Sequence, residues 1–356
     1  MSVLDQPNEW IRIDPMAMRT HLEEFPDQVR SAFLSVSESD IPCPARIESV
    51  VVCGLGGSAI GGDLARSIAG EDLKKPFAVH RDYGIPPFAG ESTLIIACSY
   101  SGNTEETLSA YDQARQVKAT RVCITSGGEL ESRAQEDGCC IIPLPQGLPP
   151  RAALGHSLFS LLGVMQAMQL VPDMAVSVRE TVDLLKALKL KYGFQKPLSE
   201  NIAKEIAQSL HGKIAAIYGS DAIMGSTALR WRSQIEENAK TLALHHSLPE
   251  MNHNELVGWL CPEAVLARVG VVFLRDMWDH PQVQRRFELT KEIISGKAGS
   301  IREVWSEGDS RLARVLSLIY LGDYVSLYLA YLNSIDPTPV DVIDYLKREL
   351  GGGAKV

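Results

Sequence analysis

Two stretches of this chain decide its fold. Residues 50–58 read Val-Val-Val-Cys-Gly-Leu-Gly-Gly-Ser, and residues 94–104 read Leu-Ile-Ile-Ala-Cys-Ser-Tyr-Ser-Gly-Asn-Thr. In each, a short apolar run stops at glycine or serine. This pattern is typical of a buried parallel strand that reaches the carboxyl edge of its sheet, where open α/β folds bind ligands. We therefore predict that both turns open onto one edge of one sheet.

The second turn offers three hydroxyl groups, those of Ser99, Ser101 and Thr104, and the helical pattern of residues 105–116 follows directly. The N–H groups at the start of that helix would point toward the same place. The set lacks a lysine of the phosphate-loop type, so it suits a phosphate monoester better than a nucleoside triphosphate. A more local interpretation is that Thr104, three residues before Thr107, simply caps the helix.

The first turn allows two other interpretations. It could be no more than a tight strand-to-helix connection. Gly54, Gly56 and Ala59 also satisfy the loose Gly-x-Gly-x-x-Gly/Ala pattern of dinucleotide-binding folds. That pattern requires an acidic residue about 20 positions further on to hold the ribose. The first acidic residue after the next apolar stretch is Asp82, which lies too far along, so the sequence favours a phosphorylated small molecule over a dinucleotide.

Length and charge narrow the function classes. The 356 residues suffice for two domains. Asp and Glu number 44 against 35 Lys and Arg, a net charge of −9, and no basic cluster interrupts this balance, which argues against nucleic acid as a partner. No run of about 18 uncharged apolar residues occurs, and the N-terminus lacks a signal-peptide pattern. We expect a cytoplasmic protein without a membrane partner.

The seven cysteines do not indicate a disulfide framework in a chain of this length. Cys53, Cys98 and Cys123 lie inside apolar runs, where a thiol behaves as a small hydrophobe. The adjacent pair Cys139 and Cys140 lacks metal-ligand spacing. We predict that the cysteines are structural and that the protein uses no metal and no cofactor.

Strand and helix patterns alternate along both halves of the chain, which predicts parallel, doubly wound sheets. The sequence Ala215–Ser220 echoes residues 51–56, so the second half is expected to be another copy of the α/β unit with a degraded phosphate loop. The predicted strands are 49–53, 77–80, 93–99, 121–125, 140–144, 213–218, 241–245, 266–274 and 300–305. The predicted helices are 62–69, 105–116, 129–136, 151–170, 175–192 and 221–240.

The pattern breaks between residues 193 and 197, which places a domain boundary there. We therefore predict an N-terminal extension with a helix over residues 1–40, a first α/β domain over 41–193, and a second over 197–356 that includes C-terminal helices.

Five segments carry a more specific pattern: 54–63 (Gly-Leu-Gly-Gly-Ser-Ala-Ile-Gly-Gly-Asp), 99–107 (Ser-Tyr-Ser-Gly-Asn-Thr-Glu-Glu-Thr), 150–153 (Pro-Arg-Ala-Ala), 234–240 (Gln-Ile-Glu-Glu-Asn-Ala-Lys) and 252–255 (Asn-His-Asn-Glu). In this order they resemble the bifunctional phosphoglucose/phosphomannose isomerases of bacteria and archaea, which consist of two sugar isomerase (SIS) domains. The resemblance implies two doubly wound SIS-type domains with flanking helices. It also implies an enzyme that interconverts glucose 6-phosphate or mannose 6-phosphate with fructose 6-phosphate through a cis-enediol.

The resemblance assigns roles to residues. It makes Glu236 the base that moves the proton between C1 and C2, although periodicity does not decide whether Glu236 or Glu237 faces the site. Arg151 would stabilise the negative charge of the enediolate. The phosphate would be held by Ser58, Ser99, Ser101 and Thr104, with the N–H groups of Gly56 and Gly57 at the sugar end.

The resemblance also makes His253 the ring-opening group, supplied by the partner subunit of a homodimer, and has Lys347 assist at the ring oxygen. The residues alone favour plainer interpretations: a capping histidine at 253, a solvated charge at 347, and an i,i+4 pair between Glu236 and Lys240. Two functional alternatives stay open, another SIS-domain isomerase or a sugar-phosphate-binding regulator. A regulator would be expected to lack Glu236, Arg151 or His253, and this chain has all three.

Overall fold

The computed structural model describes residues 2–37, 41 and 46–351. These residues form two sheets whose strands are all parallel, of order β2-β1-β3-β4-β5 and β7-β6-β8-β9. The second order repeats the first with one strand fewer, so the predicted fold class is confirmed. The strands are β1 (Ser49–Cys53), β2 (Phe77–His80), β3 (Thr93–Ser99), β4 (Thr120–Thr125), β5 (Cys140–Pro143), β6 (Ile214–Ser220), β7 (Ala243–Leu248), β8 (Val269–Arg275) and β9 (Ser300–Trp305).

Helices flank both sheets. They are α1 (Pro7–Ile13), α2 (Met18–Glu23), α3 (Phe25–Ser37), α4 (Gly56–Ala69), α5 (Glu105–Gln116), α6 (Gly128–Glu136), α7 (Leu154–Ala167), α8 (Ala175–Tyr192), α9 (Ile202–Leu210), α10 (Gly225–Ala239), α11 (Glu255–Gly258), α12 (Glu263–Leu266), α13 (Pro281–Ile294), α14 (Arg311–Leu332) and α15 (Asp341–Gly351). The predicted division at residues 193–197 falls between α8 and α9 and stays a prediction.

Three helices begin three or more residues away from the predicted position. The helix expected from residue 62 begins at Gly56, whose φ of +51° favours glycine and lets β1 turn at once into α4. The helix expected over 151–170 is instead a 3-10 turn, Pro150–Ala152, followed by α7. The helix expected from residue 221 begins at Gly225. Glycine-rich starts are hard to locate because glycine is compatible with both loop and first turn.

Two strands of the second sheet are also shifted. The strand expected over 241–245 covers Ala243–Leu248, because its register with β6 pairs Ala215 with Ala243 and Ser220 with Leu248. The strand expected over 266–274 begins at Val269, because the preceding residues form α12. Tertiary pairing, rather than the apolar run itself, sets these ends.

Helix α14 is the core helix of the molecule and packs against α8, α9 and α10. It is long and apolar enough to span a membrane, yet 94% of its most apolar window is buried inside the protein. The N-terminal extension also packs on it. Tyr320 donates to the carbonyl oxygen of Leu22 (3.1 Å) and Tyr331 to Oδ2 of Asp14 (3.1 Å).

We predict that Gly322→Ala destabilises the protein through the contact between α10 and α14. A Cβ at position 322 would overlap the indole of Trp231, and that ring is fixed by a 2.7 Å hydrogen bond to the carbonyl oxygen of Leu318. The expected loss of unfolding free energy is about 1–3 kcal/mol, measured by urea denaturation. Gly61→Ala in α4 is the matched control, because its Cβ would meet nothing closer than 4.0 Å. Equal stability of the two variants would contradict the prediction.

Candidate active site

The turns that follow β1 and β3 lie side by side. The two strands are neighbours, with Cys53 paired to Ala97, and both turns leave the carboxyl edge of the same sheet. A hydrogen bond joins them directly, since the backbone N–H of Tyr100 donates to Oγ of Ser58 (3.3 Å). The predicted common edge is confirmed.

The hydroxyl groups at this edge are those of Ser58, Ser99, Ser101 and Thr104, here called the anion pocket. The hydroxyls of Ser99 and Thr104 lie 2.9 Å apart. Ser58 accepts the N–H of Tyr100 and Ser101 accepts that of Asn103 (3.3 Å), so each can give its own O–H to a ligand. Thr104 is the N-cap residue of α5, as the local interpretation expects, but its side chain makes no capping bond and stays available to a ligand. The first turns of α4 and α5 therefore direct uncapped N–H groups to the same edge.

Arg151 lies next to this anion pocket. Gly57 packs against the 3-10 turn that carries it, and a Cβ on Gly57 would lie 3.2 Å from the carbonyl oxygen of Pro150. The guanidinium is almost completely buried, with 3% of the residue exposed. Its Nε donates to Oδ1 of Asn238 (2.7 Å), and its Nη2 donates to the carbonyl oxygens of Pro337 and Thr338 (2.7 Å each). Burial holds the pKa of Arg151 below its usual value, although the negative charge of the nearby Glu237 carboxylate opposes this effect.

The carboxylate beside Arg151 belongs to Glu237. Its Oε2 lies 3.7 Å from Nη1 of Arg151, and about a third of the side chain is exposed. Glu236, the residue assigned by resemblance, instead pairs with Arg232 one turn earlier on α10 (3.1 Å). The expected pair between Glu236 and Lys240 is not formed. The structure therefore brings Glu237, and not Glu236, into contact with the site.

Lys240 adds a second cation. It follows α10 in a left-handed conformation, and its Nζ donates to the carbonyl oxygens of Glu237 (2.7 Å) and Pro337 (2.8 Å). The same carbonyl oxygen of Pro337 accepts from Arg151, so the two cations converge on one atom. Burial of the amine, and after it the charge of Arg151, lower the pKa of Lys240 to about 8, while Asp336 and Glu237 oppose this.

His253 and Lys347 lie apart from this cluster. His253 is exposed at the end of a 3-10 turn, Glu250–His253, and Lys347 lies on α15, whose residues 341–350 are all exposed. Among the described residues, no hydrogen bond or ion pair joins either side chain to Arg151 or Glu237. The segment 335–340, here called the C-terminal strap, precedes α15 and reaches the cluster through the carbonyl oxygens of Pro337 and Thr338.

Sequence reasoning missed Asn238, Lys240 and the C-terminal strap. Asn238 and Lys240 belong to the segment 234–240 that carried the resemblance, so the signal was present but was assigned to the glutamates alone. The strap offers only backbone carbonyl oxygens to Arg151, and no side-chain pattern reports such contacts.

The cysteines that the structure describes take no part. Burial raises the pKa of Cys53 and of Cys123 to about 12 and keeps both thiols protonated. Cys43 lies outside the described residues. In residues 2–37, 41 and 46–351, no group of three or more His, Cys, Asp or Glu side chains is placed to hold a metal ion.

The paired parallel sheets and the hydroxyl-lined anion pocket beside a buried arginine define a SIS-domain protein. Residues 199–350 match the family described as the bacterial phospho-glucose isomerase C-terminal SIS domain. The chain is 43% identical to a bifunctional phosphoglucose/phosphomannose isomerase of Caldicellulosiruptor bescii, over 92% of this chain and 96% of that protein. It is 38% identical to the protein of that name from Aquifex aeolicus, over 85% and 90%. The chain belongs to the bifunctional phosphoglucose/phosphomannose isomerase family.

The fold is also found in more distant proteins of known structure. A glucose-6-phosphate isomerase like protein from Thermus thermophilus superposes with a TM-score of 0.63 at 19% identity, covering 98% of this chain and 99% of that one. At this identity the likeness concerns the fold alone.

We predict that the amine of Lys240 titrates near pH 8 and responds to its neighbours. It carries its charge below that pH and loses it as the pH rises through about 8. Arg151→Ala removes a repelling charge and should move this titration to higher pH, whereas Glu237→Gln removes an attracting charge and should move it lower. The pH dependence of acetylation, followed by mass spectrometry with the exposed Lys347 as internal reference, measures both shifts. An unchanged curve in Arg151→Ala would contradict the proximity of the two cations.

Proposed function

We propose that this protein is an aldose-ketose isomerase that interconverts glucose 6-phosphate and mannose 6-phosphate with fructose 6-phosphate through a cis-enediol, without a metal or cofactor. The proposal rests on one observation above all: a carboxylate, Glu237, sits beside a buried guanidinium, Arg151, next to a pocket built for a phosphate monoester. A charged sugar phosphate does not diffuse unaided through the hydrocarbon core of a bilayer and stays where metabolism forms it. We place the reaction in the cytoplasm.

The phosphate group anchors the substrate. Its oxygens accept from the hydroxyls of the anion pocket and from the N–H groups at the start of α4 and α5, as helix N-termini favour. The backbone of Gly56 and Gly57 supports the sugar, and the close approach of Gly57 to Pro150 brings C1 and C2 toward Arg151. The pocket side chains in this role are Ser58, Ser99, Ser101 and Thr104.

Proton transfer falls to Glu237 in place of Glu236. The Glu237 carboxylate takes the proton from C2 of the aldose and returns it to C1. In the structure this carboxylate lies beside the buried Arg151, whereas the Glu236 carboxylate pairs with Arg232. Negative charge then develops on the enediolate oxygens. Arg151 is already held in place, with three of its five N–H groups occupied, and directs the two at Nη1 toward the site. Such a preorganised cation stabilises the enediolate without reorganisation.

The reaction test uses fructose 6-phosphate with and without EDTA. We expect both glucose 6-phosphate and mannose 6-phosphate to form, with no effect of the chelator. Glu237→Gln should lower exchange of the C2 proton with solvent by about 1,000-fold while the substrate still binds, because the amide keeps the shape but not the base. Glu236→Gln is the matched control and should keep more than half of the wild-type rate.

Three outcomes would overturn this assignment. Loss of activity with EDTA would place the protein in a metal-dependent class. Binding of the sugar phosphate without any isomerisation would make it a regulator. A greater loss in Glu236→Gln than in Glu237→Gln would return the base to position 236.

Ring opening is assigned to His253 of the partner subunit, with help from Lys347, in a homodimer that shares its active sites. Two features support this arrangement. His253 is exposed and, among the described residues, makes no hydrogen bond or ion pair with the Glu237 cluster of its own chain. Within seven residues after it in the sequence, the apolar side chains of Val257 and Leu260 are 68% and 60% exposed, and apolar side chains of α15 are exposed as well. Exposed large apolar side chains of this kind are what a subunit interface would cover.

The shared site predicts complementation between subunits. Heterodimers of Glu237→Gln and His253→Ala should contain one site with both defects and one with neither, so activity should return to about half of that of the wild-type dimer. Each variant alone should stay inactive, and recovery should require subunit exchange by partial denaturation and refolding. If verified heterodimers remain as inactive as their parents, both residues serve the same subunit's site.

A further inference from the structure

Helix α14 carries an aspartate in the middle of an apolar core. Asp323 is 6% exposed and Ser326, one turn later, is fully buried. Burying a carboxylate costs free energy unless it is paired and hydrogen-bonded, so Asp323 depends on the groups that pair with it. Neither residue belongs to the cluster of Arg151, Glu237 and Lys240.

Asp323 holds the main chain of Arg151 through Arg230. Its two carboxylate oxygens accept from Nε (3.2 Å) and Nη2 (3.0 Å) of Arg230, which is itself 3% exposed. Nη2 of Arg230 also donates to the carbonyl oxygen of Arg151 (2.8 Å). The pair therefore fixes the backbone of the turn from which the Arg151 side chain extends.

Ser326 holds the guanidinium of Arg151 through Asn238. Its hydroxyl donates to the carbonyl oxygen of Asp323 (2.8 Å), so toward Asn238 it can only accept, and it takes the amide Nδ2–H (3.0 Å). This orients the amide so that Oδ1 faces Nε of Arg151 at 2.7 Å. The side chain of Arg151 is thus fixed at Nε while its carbonyl is fixed by Arg230.

We propose that Asp323 and Ser326 are positioning residues of the active site, which act through Arg230 and Asn238 to hold Arg151 in the orientation that its reaction requires. The consequence for turnover rests on the proposed function. The positioning of Arg151 does not depend on which reaction the site performs.

Apolar side chains of the N-terminal extension cover the hydrogen bonds between Asp323, Arg230 and Arg151. Met18, Leu22 and Phe25 of the N-terminal extension line a small cavity of about 20 Å³ together with Arg151 and Asp323. Apolar cover lowers the local dielectric and strengthens the hydrogen bonds beneath it. The N-terminal extension therefore has a part in the site, as the wall that shields this network.

The chain supplies two matched controls: Ser317 lies on the same helix, and Asp276 follows β8 and pairs with Arg314 of that helix. Arg314 and Asp276 form a second buried pair (2.9 Å, 1% and 0% side-chain exposure), away from Arg151. Ser317, like Ser326, donates to the carbonyl oxygen three residues earlier (2.7 Å) and accepts an N–H, that of Glu307 (2.9 Å). Ser317→Ala removes a hydroxyl that makes the same two kinds of bond, and Asp276→Asn weakens a buried arginine–aspartate pair. Among the described residues, neither side chain bonds to Arg151, Arg230 or Asn238.

The experiment compares Ser326→Ala and Asp323→Asn with these controls in fructose 6-phosphate turnover. We expect kcat to fall about 10-fold in Ser326→Ala and about 100-fold in Asp323→Asn, with KM within about twofold, because a small misplacement of a catalytic group costs rate more than binding. Ser317→Ala and Asp276→Asn should keep kcat within about twofold. If Asp323→Asn does not fold, the kcat of Ser326→Ala alone tests the proposal.

A second readout does not depend on activity. In protein labelled with ¹⁵N-arginine, the Nε–H signal of Arg151, identified by its loss in Arg151→Lys, should shift and exchange faster with solvent in Ser326→Ala and Asp323→Asn but not in the controls. An unchanged signal overturns the proposal, as does an equal loss of kcat in variants and controls. If the wild-type protein does not isomerise the substrate, the proposed function fails, and the Nε–H signal still decides whether these residues position Arg151.

Discussion

The rest of this structure depends on the burial of one positive charge, the guanidinium of Arg151. A buried cation is tolerated only when its donors are matched, and here the acceptors come from segments far along the chain. Asn238 lies 87 residues away and Pro337 lies 186 residues away. The first α/β unit, helix α10 and the C-terminal strap must therefore all be in place before the charge is satisfied. The interaction that shapes the site also ties the two halves of the molecule together.

The duplicated fold divides the work between its copies. The first sheet ends in hydroxyls and helix N-termini, which suit an anion, whereas α10 of the second unit carries the carboxylate that lies beside Arg151. The corresponding edge of the second sheet does not repeat the anion pocket. After β8 comes Asp276, a buried carboxylate paired with Arg314, which offers acceptors and no donor at the position where the first sheet has a serine hydroxyl. The expectation of a degraded phosphate loop in the second unit stays a prediction.

How far the sequence predicts the site depends on the kind of structure that carries each residue. At strand ends, Ser99 and Ser101 could be placed in the anion pocket, because a parallel strand delivers its last residues to a known edge. On a helix, adjacent residues differ by about 100° in direction, so a glutamate pair says nothing about which member faces inward. Glu236 has Arg232 one turn before it on the same helix, while Glu237 meets Arg151, and only three-dimensional packing separates the two.

The sequence by itself determined the parallel α/β units, the common edge of the two turns and the class of ligand, because strand burial and turn chemistry are local properties written into short segments. The tertiary structure alone decided which carboxylate lies beside Arg151, that Arg151 and Lys240 both donate to Pro337, and that Asp323 and Ser326 connect to Arg151 through Arg230 and Asn238. These are contacts between segments distant along the chain, several of them to backbone carbonyl oxygens. Such atoms are the same in every residue, so no pattern of side chains records where they will be used.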